Sequence, residues 1–286
     1  MTSKSTDIKG IKNTLRGAMY DYNNELYSEI DLSCLTNQGL EVGRELSCGD
    51  FGCTYKVCKL GDCSMVIKIG DISSQEVEML KYSSAKGIGP KFYGYLECPT
   101  VNLKSKVEKD KMGVIIMEQL DLNVAELIPW HITKKSLIIL QNLAKKILKA
   151  RLHHGDLHLG NLMAILDNEE NIIDWKLIDY GFASIIPDLR KDSNSPNFDL
   201  RSDQMGNFLR YEKNPDEALE PIIAEWMCLF DQLIYEIVES GLSEEDFMIE
   251  LVGSVEEIKK KTETELMAIA NVDDYSPLCK FYDPDY

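Results

Sequence analysis

The spacing of apolar residues changes near the middle of the chain. Between residues 40 and 70, short β-favouring stretches, Cys53 to Cys58 and Ser64 to Ile69, are parted by Gly-Asp and Gly-rich punctuation, the pattern of hairpin strands. Ser73-Ser74 followed by Gln75-Glu76 supplies capping residues ahead of Val77, Met79 and Leu80, and Gly87 and Pro90 end the run, which predicts a helix of roughly three turns. Lys91 to Leu96 and Met112 to Met117 read as further strands, joined by a charged loop containing Lys104 to Lys111. After Pro129 the period becomes helical, with Leu137, Leu140, Leu143, Ala144, Ile147 and Leu148 forming one stripe. Pro215 to Glu239 carries Ile222, Trp226, Leu229, Leu233 and Ile237 on one face, and Ser243 to Ala270 opens on a Ser-x-x-Asp cap. The polar stretch Pro187 to Asp203 reads as a loop. The fold class expected is α+β, with a β-rich first part holding one main helix and a mostly helical second part.

Composition narrows the function classes. Of the 286 residues 44% are hydrophobic and 28% charged, as in ordinary globular proteins. Lys and Arg number 31 against 48 Asp and Glu, a net charge of −17 that repels phosphate polymers and anionic lipid, so neither nucleic acid nor a membrane surface is an expected partner. Apolar runs such as Val114 to Met117 fall far short of the roughly 20 residues of a membrane span. The first residues, MTSKSTDIKGIKNTLRG, lack the apolar segment of a signal peptide, so secretion is not expected. The eight cysteines then read as reduced thiols of an intracellular, cytoplasmic protein. Cys48, Cys53, Cys58 and Cys63 recur every five residues, a loose zinc spacing. In strands an offset of five sends neighbouring thiols to opposite faces unless turns intervene, so buried or half-buried structural cysteines are expected.

Three segments carry candidate chemistry. In Leu46-Ser47-Cys48-Gly49-Asp50-Phe51-Gly52-Cys53-Thr54-Tyr55-Lys56, glycines at a turn let backbone N–H groups approach phosphate oxygens, and Phe51 at the tip can close over a nucleotide. The plain reading is a hairpin turn. Lys68 ends the apolar run Met65-Val66-Ile67, where its ammonium needs an anion, a carboxylate such as Glu76 or a phosphate; the plain reading is a snorkelling surface lysine. His154-Gly155-Asp156-Leu157-His158-Leu159-Gly160-Asn161, followed by a strand and then Asp179-Tyr180-Gly181, sets two acids and an amide just past apolar stretches. Asp156 can accept a hydroxyl proton, Asn161 can bind a metal and Asp179 can bridge metal to phosphate oxygens. Taken singly, each is also an ordinary loop. His131 and His153 read as a loop and a packing residue, and Trp130, Trp175 and Trp226 as core or boundary aromatics.

Taken in order, these segments resemble the protein-kinase-like superfamily over about residues 40–210. LxxGxFGxxYK is similar to its glycine-rich loop, Val66-Ile67-Lys68 to its strand-three lysine and Glu76 to its helix-C glutamate. Ile116-Met117-Glu118-Gln119-Leu120 resembles the last strand and hinge, HGDLHLGN the catalytic loop and Asp179-Tyr180-Gly181 the metal-binding motif. The resemblance implies a bilobal fold: an extension over 1–39, partly helical, an N-lobe over 40–120 and a C-lobe over 121–286. It implies ATP held by Leu46, Ser47, Gly49, Phe51, Gly52, Lys68, Met117, Glu118 and Leu120, and Mg²⁺ held by Asn161 and Asp179. Asp156, Lys68, Glu76 and His158 are then the catalytic set, transferring phosphate to Ser/Thr hydroxyls of proteins.

The sequence also departs from that pattern. Ser47 stands where the first loop glycine usually is, and the short Lys68 to Glu76 separation leaves Glu78 as an alternative partner. Gly155 replaces the arginine that pairs with an activation-loop phosphate, and His158 stands where Ser/Thr kinases carry lysine, as in aminoglycoside and choline kinases and haspin. No Ala-Pro-Glu follows Asp179. A small-molecule kinase is thus the alternative function, with a scaffold that only binds partners as a third. Asp199 or Asp203, the latter preferred, is the expected brace of the catalytic-loop backbone.

Overall fold

The structure, a computed structural model, describes residues 14–19, 26–49, 52–101, 111–124, 131–186, 219–240, 245–273 and 275. The chain divides into two compact units, Met1–Val77 with Lys91–Gln119, and Glu78–Pro90 with Leu120–Tyr286.

The first unit is built on strands β1 (Thr14–Met19), β2 (Leu26–Asp31), β3 (Leu40–Gly49), β4 (Gly52–Lys59), β5 (Asp62–Gly70), β6 (Phe92–Val101) and β7 (Lys111–Glu118). They pair in the order β1-β2-β6-β7-β5-β4-β3, antiparallel between neighbours, and a parallel bridge of β1 to β5 at Ala18 and Gly70 curls the sheet on itself. The stretch expected as a partly helical extension thus supplies two strands, and the helical piece is the single turn α1 (Ser33–Thr36). Alternation sorts the two faces: Cys53, Tyr55 and Val57 of β4 and Ile67 and Ile69 of β5 point into a core with Ile30, Leu35, Met112 and Val114. Burying an aliphatic side chain of this kind contributes roughly 1.5–3 kcal/mol. Lys68 lies on the opposite face from Ile67 and Ile69, as period two requires. Helix α2 (Ser74–Ala85) begins where the capping residues predict, with the Ser73 hydroxyl accepting from Glu76 N–H at 3.0 Å.

In the second unit β8 (Leu122–Asn123), β10 (Leu162–Leu166) and β11 (Ile172–Leu177) form a small sheet in the order β11-β10-β8, and β9 (Leu152–His153) pairs with β12 (Ser184–Ile185). Helices α3 (Lys134–Ala150), α4 (Glu220–Glu239) and α5 (Glu245–Ala270) make the rest of its core. A capping box between Thr133 and Ser136 starts α3, and Arg151 in the left-handed region ends it. Helix α4 buries a broad apolar face of Ile222, Ile223, Trp226, Met227, Leu229, Phe230, Leu233 and Ile237, while its last turns expose Tyr235, Glu236, Val238 and Glu239. Trp175 and Trp226 are both core residues, and the Trp175 indole donates to Ser136 O at 2.8 Å.

The cysteines overturn the expectation of reduced thiols. Cys34 is bonded to Cys98, Cys48 to Cys53 and Cys58 to Cys63, and Cys228 is disulfide-bonded as well. The five-residue spacing would scatter thiols along one strand, but a hairpin turn falls inside each of the two shorter pairs and brings its members side by side. Cys48 and Cys63 are exposed rather than buried. Disulfides persist in oxidising surroundings and are rare where thiols are kept reduced, so cysteine usage no longer supports a reducing compartment. All four cysteines of the five-residue spacing are taken up in disulfides, which leaves no thiolate among them for zinc.

Candidate functional site

The candidate residues fall into two groups, one in each unit. In the first unit Lys68 and Glu76 form an ion pair, Nζ to Oε1 2.8 Å, with both side chains largely buried. Helix α2 turns Glu76 toward the sheet and Glu78 away, where Glu78 pairs with Lys81 at 2.8 Å, so Glu76 is the partner. A buried ion pair returns little net stability because desolvating both charges offsets their attraction. The pair fixes the position of the ammonium.

Leu46 and Ser47 are exposed on β3, and Gly49 and Gly52 are register partners at the end of the β3–β4 hairpin. Phe51 lies outside the described residues. Met117 is half-buried on β7. The Glu118 carboxylate accepts from Lys91 N–H at 3.0 Å and approaches the Lys91 ammonium at 3.5 Å, a bond between strand ends. Leu120 is buried in the second unit.

The second group is set on the segment after β9. His154 is buried, and its Nε2 donates to Ile178 O at 3.0 Å; burial holds its pKa below the ordinary value, so the ring is neutral. Asn161 Nδ2 donates to Asp156 O at 2.9 Å and lies 3.4 Å from Asp156 Oδ2, while Ile178 N–H donates to Asn161 O at 3.0 Å. One hydrogen-bonded unit therefore joins Asp156, Asn161 and the residue before Asp179. Asp179 itself has φ of 61°, a left-handed conformation that a non-glycine residue keeps only when its surroundings impose it. Tyr180 is fully buried with its hydroxyl donating to Leu177 O at 2.9 Å, and its ring centroid lies 5.5 Å from that of His154. His158 Nδ1 accepts from Gly160 N–H at 3.0 Å, and its Nε2 lies 3.0 Å from Asn161 Nδ2 and 3.8 Å from Asp156 Oδ2.

Glu225 on α4 was not foreseen. Its two oxygens accept from His154 N–H at 3.2 Å and Gly155 N–H at 2.7 Å, and Oε1 lies 3.2 Å from His153 Nε2. This carboxylate braces the backbone of the segment; Asp199 and Asp203, expected in that role, lie outside the described residues. Burial alone would lower the pKa of His153, but the hydrogen bond and the charge of Glu225 outweigh it and raise it, so His153 is an ion-pair partner rather than a packing residue. The signal available in the sequence was one acidic residue inside an otherwise apolar helical face, Ala224-Glu225-Trp226. Gly155 has φ of 80°, and a Cβ there would meet Phe182 O at 2.6 Å. The backbone itself therefore excludes an arginine at this position.

Asp179 and Asn161 offer a carboxylate and an amide oxygen, hard donors of the kind Mg²⁺ takes from protein when substrate phosphates complete its shell. Comparison with protein-family models and with curated proteins returns no match for this chain.

Proposed function

We propose that the protein is a kinase of the protein-kinase-like superfamily, bilobal, which transfers phosphate from ATP to Ser/Thr hydroxyls of proteins in a magnesium-dependent reaction. The observation that carries this reading is the hydrogen bonding among Asp156, Asn161 and Ile178, which ties the segment of a candidate base and one candidate metal ligand to the segment that carries the other, Asp179. The buried Lys68–Glu76 pair supports it, since an ammonium fixed in this way is suited to the α- and β-phosphates. Asp156 orients the acceptor hydroxyl and accepts its proton, with the His158 ring nearby, Nε2 to Oδ2 3.8 Å. Asn161 and Asp179 hold Mg²⁺, which supplies charge neutralisation on the transferring group. The disulfides favour action in a non-reducing setting.

Gly155 favours a second reading. Its backbone leaves no room for the arginine that reads a loop phosphate, a feature shared with the alternative small-molecule kinase. Labelled-ATP transfer to generic proteins and to pools of hydroxylated small molecules separates the two. Asp179→Ala abolishes transfer to either acceptor, whereas Asp156→Ala keeps nucleotide binding and loses about 10²–10⁴-fold in rate. Near-wild-type transfer by both variants would overturn the site. Nucleotide binding without transfer to any acceptor would leave a scaffold.

A further inference from the structure

The turn that carries Asn161 is fastened both from within and from outside. Leu159–Asn161 forms a single 3₁₀ turn capped by His158, whose Nδ1 accepts from Gly160 N–H at 3.0 Å and whose carbonyl accepts from Asn161 N–H at 2.9 Å. Two further backbone groups of the turn reach other elements. Leu159 N–H donates to Gln232 Oε1 of α4 at 2.9 Å, and Gly160 O accepts from Asn123 Nδ2 of β8 at 2.6 Å. Leu159 is buried, so its N–H would be costly to leave unpaired.

Gln232 stands seven residues after Glu225, close to two helical turns, so the two side chains share one face of α4 about 10 Å apart along its axis. The helix therefore holds the segment at two places, Glu225 at His154 and Gly155 and Gln232 at Leu159. Asn123 holds it from the small sheet, where it is the register partner of Met163, two residues past Asn161. Within the turn, the Asn161 Nδ2 is spent on Asp156 O at 2.9 Å, which leaves Oδ1 as the end of the amide that can face a cation.

We propose that Gln232 and Asn123 are positioning residues that fix the Leu159–Asn161 turn and thereby set the affinity of the Asn161 amide oxygen for a divalent cation. This rests on the phosphoryl-transfer reading, in which Asn161 and Asp179 hold Mg²⁺. Both residues act through the backbone of Leu159 and Gly160. Outer partners that orient a metal ligand are worth about 10–100-fold in metal affinity.

The isosteres of the two residues have opposite consequences. A carboxylate accepts a hydrogen bond as an amide oxygen does but cannot donate one. Gln232→Glu keeps the acceptor for Leu159 N–H, whereas Asn123→Asp turns an acceptor onto the Gly160 carbonyl. Both substitutions add the same negative charge, so a difference between them reports hydrogen bonding rather than attraction of the cation.

The test uses the full chain with a non-hydrolysable ATP analogue and Mn²⁺ as the probe. Mn²⁺ affinity is read by electron paramagnetic resonance, metal-free affinity for the analogue by calorimetry, and the state of the turn by hydrogen exchange at the Leu159 amide. Asn123→Asp should weaken Mn²⁺ binding about tenfold or more, while Gln232→Glu stays close to wild type. Gln232→Met, similar in length but without the acceptor, should weaken Mn²⁺ binding about tenfold and speed exchange at Leu159, with metal-free affinity for the analogue unchanged. If Gln232→Met does not fold, the comparison of Asn123→Asp with Gln232→Glu decides; if Asn123→Asp does not fold, Gln232→Met against Gln232→Glu decides. Equal effects of the acidic substitutions, or faster Leu159 exchange with Mn²⁺ affinity unchanged, overturn the positioning role alone. Absence of Mn²⁺ and analogue binding in the wild type overturns the phosphoryl-transfer reading and the positioning role with it.

Discussion

Glu225 shows how much can rest on one carboxylate. It receives two backbone N–H groups and one imidazole, so Glu225→Ala takes the acceptor from the N–H of buried His154, from exposed Gly155 and from half-buried His153, and should lower stability by about 1–3 kcal/mol in a urea titration. Transfer should slow in parallel, because Asp156 lies on the same segment. The two histidines beside it respond to pH in opposite senses. The pKa of His153 is raised above the ordinary 6.5, so its contribution is fully present below that value and is lost as pH rises through the folded pKa. The pKa of His154 is lowered by burial, so its contribution is present above 6.5 and is lost as pH falls toward the folded pKa. An NMR titration should place the His153 midpoint above 6.5 in the wild type and lower it in Glu225→Gln. Gly155 makes a second residue-scale case. Gly155→Ala sets a Cβ against Phe182 O in a left-handed backbone and should cost about 1–3 kcal/mol in the same assay, whereas restoring an arginine should not create phosphate-dependent activation.

Among the elements, the β-strands of the first unit are held by covalent bonds that differ in reach. Cys34–Cys98 ties α1 to β6 across 64 residues of chain, and Cys98 is fully buried in the sheet core. In the chain-entropy account, losing such a long closure costs about 4 kcal/mol, against about 2 kcal/mol for a hairpin staple. Cys34→Ser with Cys98→Ser should therefore shift the urea midpoint about twice as far as Cys58→Ser with Cys63→Ser; equal shifts would mean that the reduced chain keeps its own structure. Strands and helices were largely legible beforehand, because β4 alternates buried and half-buried positions, β5 and β7 are short continuous apolar runs, and α3 buries one helical stripe. The first two strands were not, since Thr14–Met19 and Leu26–Asp31 carry no continuous apolar stripe and gain their order from pairing with each other and with β6.

For the whole molecule, the net charge of −17 bears on partner choice more than on fold. If proteins are the acceptors, a Lys/Arg-rich substrate should be drawn in by the field. Its kcat/KM should fall several-fold as salt rises from about 50 to 300 mM, while an acidic substrate should gain. Salt-independent kinetics for both would remove charge as a selector. No helix among the described residues is long and apolar enough to cross a membrane.

Local chemistry was decided by the sequence alone. Periodicity placed the main strands and helices, the capping residues marked where α2 begins, and a lysine in an apolar strand called for an anion, with Glu76 and Glu78 both within reach in sequence and Glu76 the one that pairs. Each of these requirements is met within a few residues, so short-range spacing carries it. Tertiary structure decided the pairings that join distant parts of the chain: Cys34 with Cys98, Glu225 with His153, His154 and Gly155, and β1 with β2 and β5. Spacing leaves no trace of such contacts, because they depend on which faces the packed core turns toward one another. A thiol or a carboxylate reads the same in sequence whether it meets solvent or a partner 64 or 70 residues away.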